Sequence, residues 1–187
     1  MDLPAIHEQA LAATREVVAG IDDDAWSSPT PCADYDVRTL TNHVVGGNLW
    51  VAELAPGGTI EAVGDRLDGD VLGDDATAAY DQSAKAAAAA FNTEGAMDRP
   101  VAVSYGPVPG SMYAGHRIID VVVHGWDLAK ATGQDTTLDP GLVQACSEIL
   151  EPQIALLQGS GMFGTPVSVP DDADPQTKLL AALGRQA

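Results

Sequence analysis

The sequence predicts an all-α protein built as an up-and-down helical bundle, and three observations support this prediction. Apolar residues recur at three- and four-residue steps, the spacing that places them on one face of a helix. Asp residues precede several of these segments, where a side-chain oxygen caps a helix, and Gly or Pro residues follow them. An alanine-rich block in the middle of the chain has the highest intrinsic helix propensity. At 187 residues, we expect one domain spanning positions 1–187.

The first half of the chain predicts three helices. The first covers residues 3–21, and the second follows Asp36 as N-cap and covers residues 37–54 before a Pro-Gly-Gly stop. The third opens at an Asp-Asp pair and continues through residues 80–91. Gly46 and Gly47 interrupt the second helix, where each costs about 1 kcal/mol relative to Ala. Glycines at such positions indicate the close approach of another helix or a ligand.

The second half predicts a long fourth helix and two shorter ones between Pro- and Gly-rich stretches. Ser111 is expected to cap the fourth helix, which runs to Thr132 and is closed by Gly133. The remaining expectations are an extended piece at residues 101–103, a fifth helix over 141–158 with Pro140 in its first turn and an interruption at Pro152, and a last helix over 176–183 after Asp174-Pro175.

Charge and cysteine content exclude several classes of function. Nine Lys plus Arg against 27 Asp plus Glu give a net charge of −18, which repels nucleic acid and anionic membrane surfaces. No apolar run reaches the roughly 20 residues of a membrane span, and no basic-then-apolar leader precedes the first helix. Cys32 and Cys146 are too few for a disulfide framework. We expect a cytoplasmic monomer or homodimer with a small-molecule substrate.

The segment 116–128 carries the most chemistry. Five of the six residues over 118–123 are branched aliphatics, so a strand competes with the helix prediction. A helix this apolar would be buried, and a buried ionised Asp120 is very costly unless it is neutralised. Arg117, a hydrogen-bond network or a metal ion can each neutralise it.

Helical spacing limits which side chains can share a metal ion. Asp120 and His124 are four residues apart, on one face and about 6 Å apart along the axis. His116 and Asp120 share this spacing, but His116 and His124 are about 12 Å apart, so one pair must be chosen. In a strand, Asp120 and His124 would stand roughly 13 Å apart and could not chelate. His43 on the second helix is a candidate third ligand, with a buried core histidine as the alternative, and His7 is expected at the surface.

Three stretches of the chain, taken together, carry a resemblance to a known family. They are Trp26 with residues 29–43 (PTPCADYDVRTLTNH), residues 120–133 (DVVVHGWDLAKATG) and residues 174–185 (DPQTKLLAALGR). In combination they resemble an actinobacterial DinB-like metal-binding family that is related to the N-terminal domain of mycothiol-dependent maleylpyruvate isomerase. The resemblance extends over almost the whole chain.

The resemblance implies a DinB-like four-helix bundle with an extra helix, an irregular C-terminal tail and a divalent metal at one end. Carried over by position, the ligands are His43, Asp120 and His124. The isomerase pattern has Glu where this chain has Asp120. The isomerase also continues into a second domain where this chain stops, so we expect the substrate contacts of that domain to be absent.

Three protein ligands leave one position of a zinc ion open, as in catalytic sites. The resemblance therefore favours Zn²⁺ with mycothiol as cosubstrate, in a metal-dependent S-transferase or isomerase that acts on a small electrophile. Two histidines and one carboxylate also suit Fe(II). The alternative is a non-catalytic metal-binding or sensing bundle in which the ion is structural.

Several further residues are predicted around such a site. Arg117 can bind a carboxylate of the substrate or pair with a neighbouring Asp, and a closed, structural site would use His116 or Cys32 as fourth ligand. The other candidates are Asp127, Asn42 and Asp34 as acceptors for the ligating histidines, and Tyr105 and Tyr113 as pocket residues.

Overall fold

The computed structural model describes residues 1–33, 35–104, 106–154 and 164–186, and in these ranges the protein is mainly helical. The all-α prediction is confirmed. The helices are α1 Leu3–Ala19, α2 Val37–Leu54, α3 Ile60–Val63, α4 Ala76–Phe91, α5 Gly110–Ala131, α6 Pro140–Leu150 and α7 Pro175–Ala182, with strands β1 Pro100–Val103 and β2 Gly106–Pro109 before α5 and a 3₁₀ turn at Glu151–Gln153 after α6.

The chain divides into two compact units, Met1–Thr136 and Thr137–Ala187. In the first unit the four long helices form a closed ring of contacts, in which α1 packs on α4 and α5, and α2 packs on the same two helices. This is the arrangement of a four-helix bundle. In the second unit, α6 packs against α7. The expectation of one domain over residues 1–187 stays a prediction.

Asp side chains begin several helices as predicted. The Asp36 carboxylate accepts a hydrogen bond from the backbone N–H of Thr39 at 2.8 Å and so caps α2. The prediction that Ser111 caps α5 is wrong, because this helix begins at Gly110 with Pro109 at its N-cap and no side-chain cap. The N–H groups of Gly110 and Ser111 donate instead to backbone carbonyls of Arg99 and Met97, so the preceding loop satisfies them.

The aliphatic run at 118–123 lies in the interior of α5, so the helix prediction is confirmed and the strand alternative is excluded. The extended piece expected at 101–103 is confirmed as part of β1, which pairs antiparallel with β2. Gly133 adopts a φ of +71° just past α5, as a helix-closing glycine does. α6 gives way to the 3₁₀ turn at Pro152, and the predicted continuation over 155–158 lies outside the described residues.

His7 corrects the sequence prediction. The residue was expected at the surface, but its side chain is fully buried. It lies on the buried stripe of α1 with Ala10, Leu11 and Thr14, because positions 7, 10, 11 and 14 share one helix face. Its ring meets the Phe91 ring edge-on, with centroids 4.9 Å apart.

Two further expectations concern the whole chain. Cys32 and Cys146 are not joined in a disulfide. Among the helices in the described ranges, none combines the length and the apolar character needed to cross a bilayer.

Candidate metal centre

Helices α2 and α5 bring His43, Asp120 and His124 together. One ligand atom from each residue lies within 4.8 Å of the other two. Oδ1 of Asp120 stands 3.3 Å from Nε2 of His43 and 3.5 Å from Nε2 of His124. The two imidazoles are nearly perpendicular, with their centroids 5.1 Å apart. The Asp120 carboxylate therefore sits between two ring nitrogens from different helices.

The helices explain how distant parts of the sequence form this cluster. Asp120 and His124 are one turn apart on α5, so they project from the same face. His43 reaches them because α2 packs directly on α5. The His43 side chain is 38% exposed, against 20% for Asp120 and 10% for His124. The cluster thus opens to solvent on the His43 side, where the ring of Tyr35 stacks on His43 with centroids 5.6 Å apart.

His116 is not part of this cluster. Within the described ranges, His43, Asp120 and His124 are the one set of three His, Cys, Asp or Glu side chains close enough to hold an ion. Of the two pairs that the sequence left open, the geometry therefore favours Asp120 with His124. Cys32 is likewise absent from the set.

His124 has a carboxylate facing each of its ring nitrogens. Nδ1 lies 3.0 Å from Oδ2 of Asp127, whose side chain is completely buried. Burial lowers the pKa of His124, but Asp120 and then Asp127 more than offset this and raise the pKa to about 9. Without another cation, the imidazole between these carboxylates is protonated at neutral pH.

Arg117 is the main counter-charge of Asp120. Its Nη1 donates to Oδ2 of Asp120 at 2.7 Å, and its side chain is only 9% exposed. Burial would raise the pKa of Asp120, but the charge of Arg117, followed by that of His124, holds it well below the usual range. Of the two roles predicted for Arg117, the geometry supports the salt bridge to a neighbouring Asp.

The predicted accessory residues lie in different surroundings. The Asn42 amide donates to the carbonyl of Gly69 at 2.9 Å and accepts from the N–H of Val71 at 2.8 Å, so it fixes the loop after α3 to α2. Tyr113 is seven residues before Asp120, about 10 Å along α5, and packs on Phe91 in the apolar core. Asp34 and Tyr105 lie outside the described residues.

Two features of the site were missed at the sequence level. The first is Tyr35 over His43, although it lies within the motif that carries the resemblance. The second is the position of the Arg117 guanidinium against α2, where Asn48 Oδ1 and the Val44 carbonyl accept hydrogen bonds from Nη2 at 3.3 and 3.4 Å. The signal for it was the Gly46-Gly47 pair, which predicted a close approach without naming the approaching group.

The residues present fit a divalent cation. Two ligands at the usual 2.0–2.1 Å from a tetrahedral zinc ion stand about 3.3 Å apart. Oδ1 of Asp120 lies 3.3 and 3.5 Å from the two histidine nitrogens, and all three ligand atoms lie within 4.8 Å of one another. Imidazole and carboxylate suit Zn²⁺ and, equally, Fe(II). Asp127 binds Nδ1 of His124 and turns Nε2 toward the cluster, which is how metal-ligating histidines are usually held.

The fold and the cluster define a class of protein: a four-helix bundle with two histidines and one carboxylate gathered between two of its helices. The family described as mycothiol maleylpyruvate isomerase N-terminal domain matches residues 7–129, and the chain belongs to this family. All three residues of the cluster lie in the matched range. The resemblance seen in the sequence is confirmed.

Similarity also extends beyond the family match. Two proteins of Mycobacterium tuberculosis, Uncharacterized protein MT0763 of strain CDC 1551 / Oshkosh and Uncharacterized protein Rv0738 of strain ATCC 25618 / H37Rv, are each 36% identical to this chain over 190 residues. Each alignment covers 99% of this chain and 98% of the relative, so it includes the second unit. No solved structure matches the chain significantly.

Proposed function

We propose that this protein binds one divalent metal ion through His43, Asp120 and His124 and uses it to activate mycothiol for attack on a small electrophile. The observation that carries the proposal is the cluster itself, three ligand atoms within 4.8 Å with one side open to solvent. The family connects this site to mycothiol. Zinc is the preferred ion because thiol addition needs no change of metal oxidation state.

The protein's own residues prepare the site for this chemistry. Two neutral imidazoles and one carboxylate leave a bound Zn²⁺ with a net charge near +1, which would favour the thiolate form of a thiol. Asp127 orients His124, and Arg117 keeps Asp120 ionised. The exposed edge of His43 leaves access for the thiol and its electrophile.

The reaction itself has two balanced forms. The thiolate sulfur forms a bond to an electrophilic carbon of the substrate. In a transferase, a leaving group departs with the displaced electron pair. In an isomerase, a conjugated carbonyl accepts the pair, the carbon–carbon bond rotates, and elimination returns the thiolate.

A structural ion is the second candidate, because the same three residues join α2 to α5. An ion bound only by the folded protein stabilises it by mass action, whether or not the site is catalytic. Half-exposed His43 favours the open, catalytic site over this alternative.

One experiment separates these functions. We expect purified protein to contain about one divalent ion per chain and to conjugate mycothiol to an activated haloarene, with loss of the rate on chelation. His43→Ala should lose both the ion and the activity. His116→Ala, which alters a histidine of α5 outside the cluster, is the matched control and should keep both.

Three outcomes would contradict the proposal in different ways. Full metal occupancy of His43→Ala would remove the site assignment. Equal conjugation rates with and without the ion would reject metal-dependent thiol activation. A bound ion without activity toward mycothiol, glutathione or cysteine, but with a large increase in melting temperature, would establish the structural alternative.

A further inference from the structure

We propose that Arg117 is a positioning residue for the metal ion: seated in the space above Gly47, it holds Oδ2 of Asp120 and presents Oδ1 alone to the cation. The inference rests on the proposed metal site but on no particular substrate. It makes a pair of residues outside the ligand set, Gly47 and Arg117, responsible for the geometry of one ligand.

The two oxygens of Asp120 have different partners. Oδ2 receives the short hydrogen bond from Nη1 of Arg117, at 2.7 Å. Oδ1 faces the two histidines at the longer separations of 3.3 and 3.5 Å, which are those of ligands sharing a tetrahedral ion. For Asp120 to bind the ion through both oxygens, Oδ2 would have to leave a buried guanidinium. Arg117 therefore selects binding through one oxygen.

Gly47 is what allows the guanidinium to lie there. A Cβ atom at position 47 would stand 2.5 Å from Cζ and from Nη2 of Arg117 and closer still to Nη1, so any other residue would displace the group. A Cβ at the adjacent Gly46 would meet nothing within 4 Å. The two glycines are neighbours on α2, yet only one of them has a steric reason to be glycine.

The hydrogen bonds of Arg117 show that the Asp120 contact dominates its placement. Its contacts with α2, to the Val44 carbonyl and to Asn48, measure 3.4 and 3.3 Å, near the limit for a hydrogen bond. Its Nε is buried without a partner among the described residues. In this position the guanidinium therefore makes long hydrogen bonds to α2 and a short one to Asp120. An arginine whose role was only to join α2 to α5 would instead make its short hydrogen bonds to α2.

The test compares Gly47→Ala with its matched control Gly46→Ala, using the full-length protein. Zn²⁺ affinity is measured by chelator competition, and the visible spectrum of bound Co²⁺ reports the coordination number. We expect Gly47→Ala to weaken Zn²⁺ binding roughly 10–100-fold, as is usual when a group supporting a ligand is lost. Its Co²⁺ bands should weaken, because a released Oδ2 raises the coordination number. Gly46→Ala should match the wild type within about twofold.

Arg117→Gln keeps the test informative if Gly47→Ala does not fold. It removes the Oδ2 contact directly, and we expect the same loss of affinity and the same change in the Co²⁺ spectrum. Wild-type affinity and spectrum in Arg117→Gln would overturn the positioning role while leaving the metal site intact. If the wild type itself takes up no ion, the proposed function falls first and this inference falls with it.

Discussion

Two buried histidines of the same bundle show what distinguishes a site from a core. Taken as whole residues, His7 on α1 is 0% exposed and His124 on α5 is 7% exposed, so burial does not separate them. Burial and the charge of Arg117 lower the pKa of His7 to about 3, whereas the carboxylates around His124 raise its pKa to about 9. With no metal ion bound, the same side chain is thus neutral in one place and favours its protonated form in the other.

The difference comes from the partners. Both nitrogens of His7 are without a hydrogen-bond partner among the described residues. Its ring packs edge-on against the ring of Phe91. His124 has Asp120 four residues before it and Asp127 three residues after it on the same helix, so α5 supplies both acids. A histidine becomes a metal-ligand candidate when carboxylates orient it, and burial alone makes it an expensive core residue.

The largest expected difference between the two histidines is in the metal content of the variants that replace them. His124→Gln should reduce bound metal to below a tenth of the wild-type amount, because one of three ligands is lost while the amide can still bond to Asp127. His7→Leu should keep about one ion per chain, because this residue contributes nothing to the cluster. Elemental analysis after gel filtration measures both.

The comparison would fail if the two variants behaved alike. Equal loss of the ion would mean that metal content reports general destabilisation, which circular dichroism and the urea midpoint would reveal. Equal retention would mean that His124 does not ligate an ion.

A smaller effect is expected at the acid that orients His124. Asp127→Asn keeps an acceptor for Nδ1 but removes the negative charge, so we expect Zn²⁺ binding to weaken by about tenfold, the lower end for such partners. Asp81→Asn is the matched control, because Asp81 pairs with Arg15 on the exposed surface of α4. An unchanged affinity in Asp127→Asn would show that the buried acid does not tune the ligand.

The contrast also shows why the sequence located some features and not others. Helix bounds depend on local signals, so Asp36 as cap and residues 37–54 as helix were predicted correctly. The start of α5 depends on carbonyls of a loop more than ten residues away, counted from Ser111 to Met97, and no local signal carries that. His7 was misplaced because nothing in its local sequence marks it as a site residue, whereas its burial follows from sharing one helix face with positions 10, 11 and 14.

For the site, helical periodicity was enough to pair Asp120 with a histidine one turn away but not to choose between His116 and His124. The family resemblance implied His124 and His43, but the physical basis of that choice is the packing of α2 against α5, which local sequence patterns do not encode. The packing of the Arg117 guanidinium over Gly47 also depends on tertiary structure, since the two residues are 70 positions apart in the sequence. Whether an ion occupies the cluster stays a prediction.

The last prediction uses the uncharged histidine and concerns stability. Because the folded pKa of His7 is about 3 and the unfolded value is about 6.5, the unfolded chain binds more protons between these values. Protonation of this group in the unfolded chain therefore lowers the free energy of unfolding as the pH drops from 6.5 toward 3. At pH 5 the loss is about 2 kcal/mol relative to the value well above pH 6.5. His7→Leu lacks this proton, so its unfolding free energy should decline less from pH 7 to pH 5 by that amount. Urea unfolding of both proteins with chelator present measures the difference, since common carboxylate titrations cancel. Parallel curves would show that His7 is solvated in the folded protein, and its NMR ring signals would then titrate near pH 6.5 instead of remaining constant down to about pH 4.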